Sequence, residues 1–491
     1  MTETEVLIVG GGVVGLSAAA FLSWHGVSCR LVERRADLSI HPRARGFNPR
    51  AVELLRQIGL EPEVLKASEG FAGHTMRARV ESLTGKELFR ADLPTATDLD
   101  RLSPSPWALC SQDRLEPLLR AHAAKLGADL AFGVELTAFE QDADGVTATV
   151  RSRADGSTER IRATYLIGAD GVRSRVRQRL GIALKGTPAL LRQLSIVFKA
   201  DLREHLGDRR FAICQVVNDT VEGLLVHDDT LTQGTLYIQY DPAKGQNAAD
   251  YPWPRCEQLV RAAVGAPDLP VRILDTQSWE LSALTATGYG EGRVFLAGDA
   301  VHVMPPVGGF GASTGIQDAH NLAWKLAYVL RGKAGVELLD SYEAERAPVA
   351  EFTVEQCLKR VTSGTGFGRP PADAGLVDDL TLTLGFRYTA GDPSTPSGEP
   401  GTRAPHVPLA DGRSTLDLFG REMCLLAGAG WRAAVPDVET HVMTEPEWAA
   451  RYGVSDHGAV LVRPDGIVAW RGNAPAELPG VLARTLCRDT G

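Results

Sequence analysis

The sequence is short of several features that would mark whole classes of protein. It has no uninterrupted apolar run of about eighteen residues, so nothing in it predicts a membrane-spanning helix. The N-terminal MTETEVLIVGGG lacks the basic and then apolar segments of a secretion signal. The 7 cysteines are an odd number, scattered without a Cys-x-x-Cys pair or the Cys/His spacing of a metal site. We therefore expect reduced structural cysteines, no bound metal, no membrane partner and a cytoplasmic location.

An excess of positive charge is also missing. The net charge is −9 and is spread without long runs of one sign, which argues against a general nucleic-acid binder. With 44% hydrophobic and 23% charged residues, the chain has the composition of an ordinary globular protein. At 491 residues it exceeds the usual size of about 100–200 residues per domain, so we expect several domains.

The N-terminus carries a glycine motif between a strand and a helix. An apolar run over 5–10 predicts the strand, and the apolar periodicity of 16–25 predicts the helix. The first glycine permits a tight turn, the second lets the backbone approach a pyrophosphate, and the third lets the helix pack on the sheet. The unpaired N–H groups of the helix would face the phosphates. The site predicted at this turn consists of Gly10, Gly12, Val13, Val14 and Gly15.

The next predicted strand, 27–32, ends at an acidic residue. A carboxylate at Glu33 can accept hydrogen bonds from both hydroxyls of an adenosine ribose, which favours a ribose without a phosphate. Three arginines follow, Arg34, Arg43 and Arg45, and they are candidates to hold phosphate oxygens through charge-assisted bonds. The alternative is that some of them only solvate the surface.

A second glycine-rich segment lies far along the chain, in RVFLAGDAVHVMPPVGGFGASTGIQDAHNLAWKLAYVL. A strand predicted over 294–297 ends at Gly298 and Asp299, where the carboxylate could bond a ribityl hydroxyl. A long amphipathic helix is predicted from near Ser313, and its N-terminus would direct partial positive charge at an anion such as a reduced isoalloxazine. The predicted contacts of this segment are Gly298, Asp299, Pro306, Gly309, Gly311, Ala312 and Ser313.

Together, GGGVVGLSAA, GDAVH and PPVGGFGASTGIQDAHNLAWKL resemble the group A flavin monooxygenases, the para-hydroxybenzoate hydroxylase type. The resemblance covers essentially the whole chain and is closest to hydroxylases of polycyclic aromatic polyketides. It implies that the Asp170-Gly171 pair in YLIGADGVRSRVRQRLG helps to bind both FAD and the pyridine nucleotide. Many relatives carry asparagine where Ser313 stands, so we expect Ser313 to contact the flavin through its backbone N–H. The resemblance also places Gln112 near the ribityl or phosphate region and Leu136 near the adenine.

The resemblance implies an α/β fold with three parts: a discontinuous Rossmann-like FAD/NAD(P)-binding domain, a β-sheet substrate domain and a C-terminal thioredoxin-like domain. The predicted segments are 1–71, 111–185 and 291–365 for the FAD-binding domain, 72–110 and 186–290 for the substrate domain, 366–394 for a linker and 395–491 for the C-terminal domain. Cys424 has no cysteine near it in that last domain, where Cys487 follows only close to the C-terminal end, while thiol-disulfide exchange needs two nearby thiols. We therefore expect a redox-inactive packing or subunit-contact module whose deletion leaves flavin binding intact.

The substrate should lie between the sheet and the flavin ring. The candidate pocket residues are Phe211, Gln215, His227, Tyr237, Trp279, Pro306 and Phe310, although aromatic residues in strands are more often plain core. No catalytic base can be named among them. A phenolate substrate is already activated and would need no strong protein base.

The resemblance implies a monooxygenase that binds FAD and uses NADPH or NADH as a transient co-substrate. In that family the reduced flavin captures O₂ as a C4a-hydroperoxyflavin, which oxygenates a small aromatic substrate. Baeyer–Villiger oxygenation, a flavin-dependent reductase or halogenase, a non-catalytic flavin binder and an NAD-dependent dehydrogenase are the alternatives. The Trp-x-Trp-x-x-Pro stretch typical of related halogenases is missing, and a dehydrogenase would leave the second glycine-rich segment without a role. A homo-oligomer is left open.

Overall fold

The computed structural model describes residues 1–41, 43–92, 98–363, 375–431 and 438–488. Its strands in chain order are β1 (Thr2–Val9), β2 (Cys29–Glu33), β3 (Met76–Val80), β4 (Glu87–Asp92), β5 (Asp129–Phe132), β6 (Val134–Gln141), β7 (Val146–Ser152), β8 (Thr158–Gly168), β9 (Leu184–Lys199), β10 (Phe211–Val217), β11 (Glu222–His227), β12 (Gln233–Tyr240), β13 (Arg272–Ala286), β14 (Gly290–Glu291), β15 (Val294–Leu296), β16 (His302–Val303), β17 (Met423–Ala427), β18 (Val438–Val442), β19 (Ala459–Val462) and β20 (Val468–Gly472).

The helices are α1 (Val13–Trp24), α2 (Pro49–Gln57), α3 (Glu61–Ser68), α4 (Leu99–Leu102), α5 (Gln112–Lys125), α6 (Arg175–Arg179), α7 (Arg203–Leu206), α8 (Trp253–Val264), α9 (Phe310–Leu330), α10 (Ser341–Thr362), α11 (Asp379–Leu384), α12 (Trp448–Tyr452) and α13 (Leu478–Thr485). Among the described residues, none of these helices has both the length and the apolar character that crossing a membrane requires.

The first sheet is the scaffold of the glycine motifs. Its strand order is β14-β15-β8-β1-β2-β5, with β7 also pairing with β8 and β6 with β7. The pairings of β1 with β2 and β8, and of β8 with β15, are parallel. Val6, Leu7 and Ile8 of β1 are fully buried, because a parallel sheet of this kind is covered on both faces. The two glycine motifs follow the carboxyl ends of β1 and β15, parallel strands on either side of β8, so they meet at one edge of the sheet.

The second sheet has the strand order β16-β13-β9-β12-β11-β10-β3-β4. One face packs on α8 through an apolar core that includes Ile196, Phe198 and Leu236. Alternate residues of the same strands point to the opposite face, among them Ser195 and Tyr237. The two-residue strand β16 pairs with β13 directly after the Gly298 turn, so the second sheet is joined to the second glycine motif within a few residues.

The third sheet, β18-β17-β19-β20, forms the C-terminal domain together with α12 and α13. One of its pairings is parallel and two are antiparallel, as expected of a thioredoxin-like sheet. Cys424 is buried on β17, and burial raises the pKa of its thiol far above the ordinary value. A thiol in that state is a poor nucleophile, which supports a domain without redox chemistry.

The sequence-based interpretation of 366–394 as a tether needs a correction. Residues 364–374 lie outside the described part of the chain, but 375–394 include α11 and bury Leu382, Leu384 and Phe386. The glycine and proline content of the surrounding chain concealed this short apolar segment. It is packed structure rather than a free connection.

The helix predicted to start near Ser313 begins three residues earlier, at Phe310. Gly309 precedes it in the left-handed conformation (φ +68°), which a residue with a side chain rarely adopts. The apolar periodicity of the sequence did not reach back to this first turn, because Gly311, Ala312 and Ser313, which follow Phe310, are small.

Buried charges join the first sheet's helices to the C-terminal domain. Glu53 of α2 lies between Arg403 and Arg50 and also accepts a hydrogen bond from the Ser103 hydroxyl (2.6 Å). Burial by itself raises the pKa of a carboxyl, but the two arginines hold the pKa of Glu53 below its ordinary value. Glu53 therefore stays ionised inside the protein at neutral pH.

We expect Glu53→Gln to lower the free energy of unfolding by about 3–5 kcal/mol, because it leaves Arg403 buried without its opposite charge. Urea unfolding followed by tryptophan fluorescence measures this loss. The contribution of Glu53 is present at neutral pH and disappears as the pH falls through its lowered pKa, so the deficit should shrink in acid. Asp411→Asn, which breaks an exposed pair with Arg413, is the control and should change stability by less than about 0.5 kcal/mol. Equal effects of the two substitutions would contradict the prediction.

Candidate active site

Two glycines of the first motif are dictated by contacts within the protein. A Cβ on Gly10 (φ +111°) would lie 2.3 Å from the Ala169 carbonyl oxygen, and a Cβ on Gly15 would lie 1.9 Å from the Gly10 oxygen. Gly12 is different, because its nearest neighbour for a Cβ is an oxygen of Glu116 at 3.7 Å. The backbone at Gly12 is therefore open on the side where a pyrophosphate would lie, as the motif predicts.

A pocket of about 310 Å³ opens beside this turn. It is lined by Gly11, Gly12, Glu33, Arg35, Asp37, Leu38, Ser39, Arg43, Gln112 and Glu116. The Glu33 carboxylate accepts hydrogen bonds from the N–H groups of Gly11 (2.7 Å) and Arg35 (2.8 Å). The Gln112 amide donates to Glu116 at 2.6 Å. Three segments that are distant in sequence thus converge on one place with glycines, carboxylates and arginines, a donor set that suits a dinucleotide.

The pocket corrects the expectations for its arginines. Arg34 is exposed and does not line the pocket, whereas its neighbour Arg35 does. Arg45 also lies elsewhere: its guanidinium donates to the carbonyls of Ala212 (3.2 Å) and His227 (2.8 Å) in the second sheet. The sequence pattern identified this segment as rich in arginine, but it did not show in which direction each side chain points.

Six residues that line the pocket were not predicted from the sequence, namely Gly11, Arg35, Asp37, Leu38, Ser39 and Glu116, and the predicted Leu136 lies outside it. Glu116 stands one helical turn after Gln112, so the i, i+4 rule places it on the same face of α5 and would have found it. Arg35 carries no such signal. Leu136 is in the apolar core of the first sheet on β6 and does not line this pocket.

The Asp170-Gly171 pair lies against the glycine turn, since a Cβ on Gly10 would come within 3.0 Å of the Asp170 Cα. One carboxylate oxygen of Asp170 accepts the N–H groups of Arg175 (2.7 Å) and Val176 (3.2 Å) at the start of α6. The other oxygen is buried and has no hydrogen-bond partner among the described residues. A buried acceptor without a partner is costly, so it is suited to a ligand donor.

Arg177, which the sequence reasoning did not single out, connects the two motifs. Its guanidinium donates to the carbonyls of Val172 (3.0 Å) and Ala300 (2.9 Å), so it joins the turn after Gly171 to the turn after Gly298. Burial lowers the pKa of Arg177. Its role is to hold two loops of the site together.

The Gly298-Asp299 turn packs directly on the first glycine motif. A Cβ on Gly298 would lie 2.6 Å from the Val14 side chain, and one on Gly315 of α9 would lie 2.5 Å from it. The Asp299 side chain is open to solvent, yet protein surrounds it densely enough that desolvation raises the pKa of its carboxyl. His302 and Arg43 act in the opposite direction on that pKa. Asp299 is thus an exposed carboxyl group at the turn, placed to accept a hydroxyl.

Behind this turn lies a completely buried ionic group. Asp318 of α9 accepts hydrogen bonds from the Gly298 N–H (3.1 Å), His302 Nε2 (2.6 Å) and Arg346 Nε (2.8 Å). Burial would raise the pKa of Asp318, but His302 and Arg346 hold it below its ordinary value. The group fixes the turn from beneath. Both His302 and Asp318 stand within the quoted motif, but nothing in the sequence shows that their side chains meet.

Around the start of α9, Pro306 is exposed in the loop, and Gly311 and Ala312 belong to the first helical turn. Ser313 is completely buried: its hydroxyl accepts from the Asn48 N–H (3.1 Å) and donates to the Gly309 carbonyl (3.2 Å). The hydroxyl of Ser313 therefore makes its hydrogen bonds within the protein. The flavin contact expected of this position through its backbone N–H stays a prediction.

The predicted pocket aromatics do not form one wall. Tyr237 and Trp279 share the face of the second sheet that is turned away from α8, and their rings lie 6.5 Å apart. The Trp279 indole donates to the Ser195 hydroxyl at 2.8 Å. Gln215 points to the same face but lies two strands further out, where it accepts from Arg79 (2.8 Å). These side chains leave a half-buried aromatic and polar surface.

Phe211 and His227 are corrections to that prediction. Phe211 is fully buried in the core beneath α8, and the β10 register shifts between Phe211 and Ile213. His227 pairs with Gly234, which pairs with Phe198 of the same core, so its side chain points to the α8 face. Strand alternation cannot be counted through a bulge, which conceals the direction of Phe211, and the direction of His227 follows from a strand register that the sequence does not show.

Phe310 has yet another environment. It packs in a small apolar cluster with Cys357 and Leu382, next to Trp107 and Met304. It is only 2% exposed. It therefore supports the loop before α9 from the side of α10 and α11, and its ring does not share the surface of Tyr237 and Trp279.

This fold and site define a dinucleotide-binding flavoprotein with a separate substrate sheet. Residues 3–357 match the FAD binding domain family, and residues 397–488 match the C-terminal domain of aromatic-ring hydroxylases. The chain belongs to the family of FAD-dependent aromatic-ring hydroxylases.

The similarity to known proteins extends over nearly the full length of the chain. A putative polyketide hydroxylase of Streptomyces halstedii is 42% identical, with 96% of this chain and 94% of the relative covered. Tetracenomycin A2 monooxygenase-dioxygenase of Streptomyces glaucescens is 40% identical, with 100% and 98% covered. The crystal structure of aklavinone-11 hydroxylase with FAD and aklavinone has 38% sequence identity and a TM-score of 0.90, with 99% of this chain and 100% of that chain covered.

These comparisons confirm the predicted family and the α/β fold class with its Rossmann-like FAD domain. They also confirm FAD as the cofactor and the activity of an FAD-dependent monooxygenase that uses NAD(P)H. The roles of individual residues remain predictions, which the geometry above supports to different degrees.

We expect Asp299→Ala to weaken FAD binding by about 1–3 kcal/mol, because it removes an acceptor for a ribityl hydroxyl. Flavin retained after dialysis and the FAD dissociation constant of the apoprotein measure the effect. Glu291→Ala, an exposed carboxylate of the same sheet on β14, is the matched control and should leave both unchanged. An unchanged dissociation constant for Asp299→Ala would remove this residue from the site.

Proposed function

We propose that this monooxygenase hydroxylates a polycyclic aromatic substrate of the polyketide type. The observation that carries the proposal is the surface formed by Tyr237 and Trp279, since it belongs to the sheet that β16 ties to the Asp299 turn. Flat aromatic rings pack well against such a surface. Relatives named for tetracenomycin A2 and aklavinone support the same substrate class.

When bound, FAD supplies the reduction by NAD(P)H and the activation of O₂. The chain supplies binding and orientation. We propose that the open backbone at Gly12, with Arg35 and Arg43, holds the pyrophosphate, that Glu33 holds the adenosine ribose, and that Asp299 holds the ribityl chain. The full proposed FAD set adds Gly10, Val13, Val14, Gly15, Gln112, Asp170, Gly171, Gly298, Pro306, Gly309, Gly311, Ala312 and Ser313.

We also propose the domain division on which this site depends. The FAD-binding domain would comprise 1–71, 111–185 and 291–365, the substrate domain 72–110 and 186–290, and the C-terminal domain 395–491. These limits do not coincide with those of the substrate sheet, because β9 begins at Leu184 and β16, which lies in the FAD segment 291–365, joins that sheet. The substrate sheet is therefore continuous with the FAD segments rather than an insertion that hangs from them.

A phenol substrate fits the charges around the second sheet. Arg45 is half-buried near Tyr237, and desolvation raises the pKa of the Tyr237 hydroxyl to about 12. Tyr237 is thus a neutral hydrogen-bond donor at neutral pH rather than a base. Such a donor can orient a phenolic oxygen without removing its proton.

The direct test uses purified holoprotein, NADPH or NADH and a panel of polycyclic phenols under air. Substrate-stimulated oxidation of the nicotinamide with a product heavier by one oxygen atom, labelled from ¹⁸O₂, would support the proposal. NMR of the product separates a ring hydroxyl from an inserted ester oxygen, the mark of Baeyer–Villiger oxygenation. Flavin absorbance with no stimulated turnover on any phenol would contradict the proposed substrate class.

We expect Trp279→Ala to lower kcat/KM for a polycyclic phenol by about tenfold, because it removes one aromatic surface of the pocket. FAD content should stay normal, since Trp279 has no contact with the glycine motifs. Arg192→Gln on the neighbouring strand breaks only an exposed pair with Glu280 and serves as the control. Steady-state kinetics at saturating NAD(P)H measure both variants. A normal kcat/KM for Trp279→Ala would place the substrate elsewhere.

We further propose that the enzyme works in the cytoplasm, since its relatives are biosynthetic enzymes that need NAD(P)H, and that it can form a homo-oligomer. Sedimentation of the purified holoprotein would show the assembly state. A monomer at all concentrations would contradict the second proposal.

A further inference from the structure

A network of buried charges runs from the C-terminal domain to the middle of α9. Arg463, which follows β19, forms ion pairs with Asp465 (2.5 Å) and with Glu345 of α10 (2.6 Å). Glu345 also pairs with Lys325 of α9 at 2.7 Å, and Lys325 is completely buried. Three helices or loops from two domains therefore share one desolvated cluster. Such a cluster tolerates little displacement of any member, because each unpaired charge would be costly.

The network continues toward the flavin side through a tyrosine. Asn321 of α9 donates to Asp465 (3.2 Å) and to the Tyr388 hydroxyl (3.4 Å). The same hydroxyl accepts from Nη1 of Arg346 at 3.3 Å. The Arg463 guanidinium stacks over the Tyr388 ring at 5.4 Å. Tyr388 thus lies between the C-terminal cluster and the arginine that holds Asp318.

The backbone fixes Tyr388 to the C-terminal domain and not to α9. Its N–H donates to the Gly401 carbonyl (2.8 Å), and the Gly401 N–H donates to Val468 of β20 (2.8 Å). The path from β20 to the flavin turn is therefore continuous: Tyr388 contacts Arg346, Arg346 binds Asp318, and Asp318 binds the Gly298 N–H.

We infer that the C-terminal domain positions the flavin-binding turn, and that Tyr388 is the positioning residue that connects them. Tyr388 limits the rotation of Arg346, and Arg346 sets where Asp318 presents its carboxylate to the Gly298 turn. The domain is thus part of the frame of the FAD site. This reverses the expectation that its deletion leaves flavin binding intact, since deletion from residue 395 would also leave Lys325 and Glu345 without Arg463.

Tyr388→Phe tests the inference with the full chain, because it removes only the hydroxyl and keeps the ring. We expect the FAD dissociation constant of the apoprotein to rise about three- to tenfold, the effect of losing one hydrogen bond to a charged group. The visible absorption and circular dichroism bands of the bound flavin should also shift, because the turn that holds it has moved. Asp465→Asn removes a charge from the same network and should change both quantities in the same direction.

Asp417→Asn is the matched control. It breaks the ion pair with Arg56, which also joins α2 to the C-terminal domain but has no contact with Arg346. A loss of thermal stability without any change in FAD affinity or flavin bands is expected for this control. If Tyr388→Phe and Asp417→Asn behave alike in all three measurements, the domain contact is merely structural and the inference is overturned.

The outcome is separable from that of the proposed FAD contacts. If Asp299→Ala weakens FAD binding while Tyr388→Phe leaves affinity and spectrum unchanged, only the positioning role fails. If neither substitution has an effect, the proposal that the Gly298-Asp299 turn binds FAD is contradicted.

Discussion

The carboxylate of Asp318 is the interaction on which the rest of the site depends. It is completely buried, and a lone charge there would be too costly to keep, so it needs both His302 and Arg346. With these two partners in place, one carboxylate oxygen of Asp318 also accepts a hydrogen bond from the Gly298 N–H. A helix, a turn and a second helix are thereby fixed to a single point. Asp299 stays exposed on this turn, while the backbone of the neighbouring Gly298 is held from the buried side.

Steric contact fixes the same turn from the front. The Val14 side chain touches Gly298 and Gly315 where no Cβ would fit, so α1 and α9 approach each other more closely than ordinary side chains allow. The phosphate end and the isoalloxazine end of the proposed site are therefore parts of one packed unit. Arg177 adds the third loop. Binding a long cofactor needs this rigidity, since misplacement at one end would be transmitted to the other.

Much of this arrangement could be predicted from the sequence, because the motifs have direct physical causes. Gly10 and Gly15 are needed by close backbone contacts, and Glu33 stands at the end of its strand. What failed depends on side-chain direction. The Arg45 side chain bonds to two carbonyls of the second sheet and does not lie in the phosphate region. The strand register directs His227 toward the α8 core. Neither composition nor spacing carries that information. For Phe211 on β10, a bulge also interrupts the strand alternation from which its direction could have been counted.

Three residues of the buried network could not be predicted from the sequence for a different reason. Asp318, Arg346 and Tyr388 are distant in sequence, and each belongs to an ordinary helix or loop, so no local pattern marks them. Their importance comes from burial: in a medium of low dielectric constant an ionic contact must be complete, and completing it requires partners from several segments. The C-terminal domain contributes such partners through Arg463 and Asp465. The C-terminal domain thereby acquires a physical reason to be present, because its Arg463 completes the buried cluster that Lys325 and Glu345 form behind the FAD-binding helices.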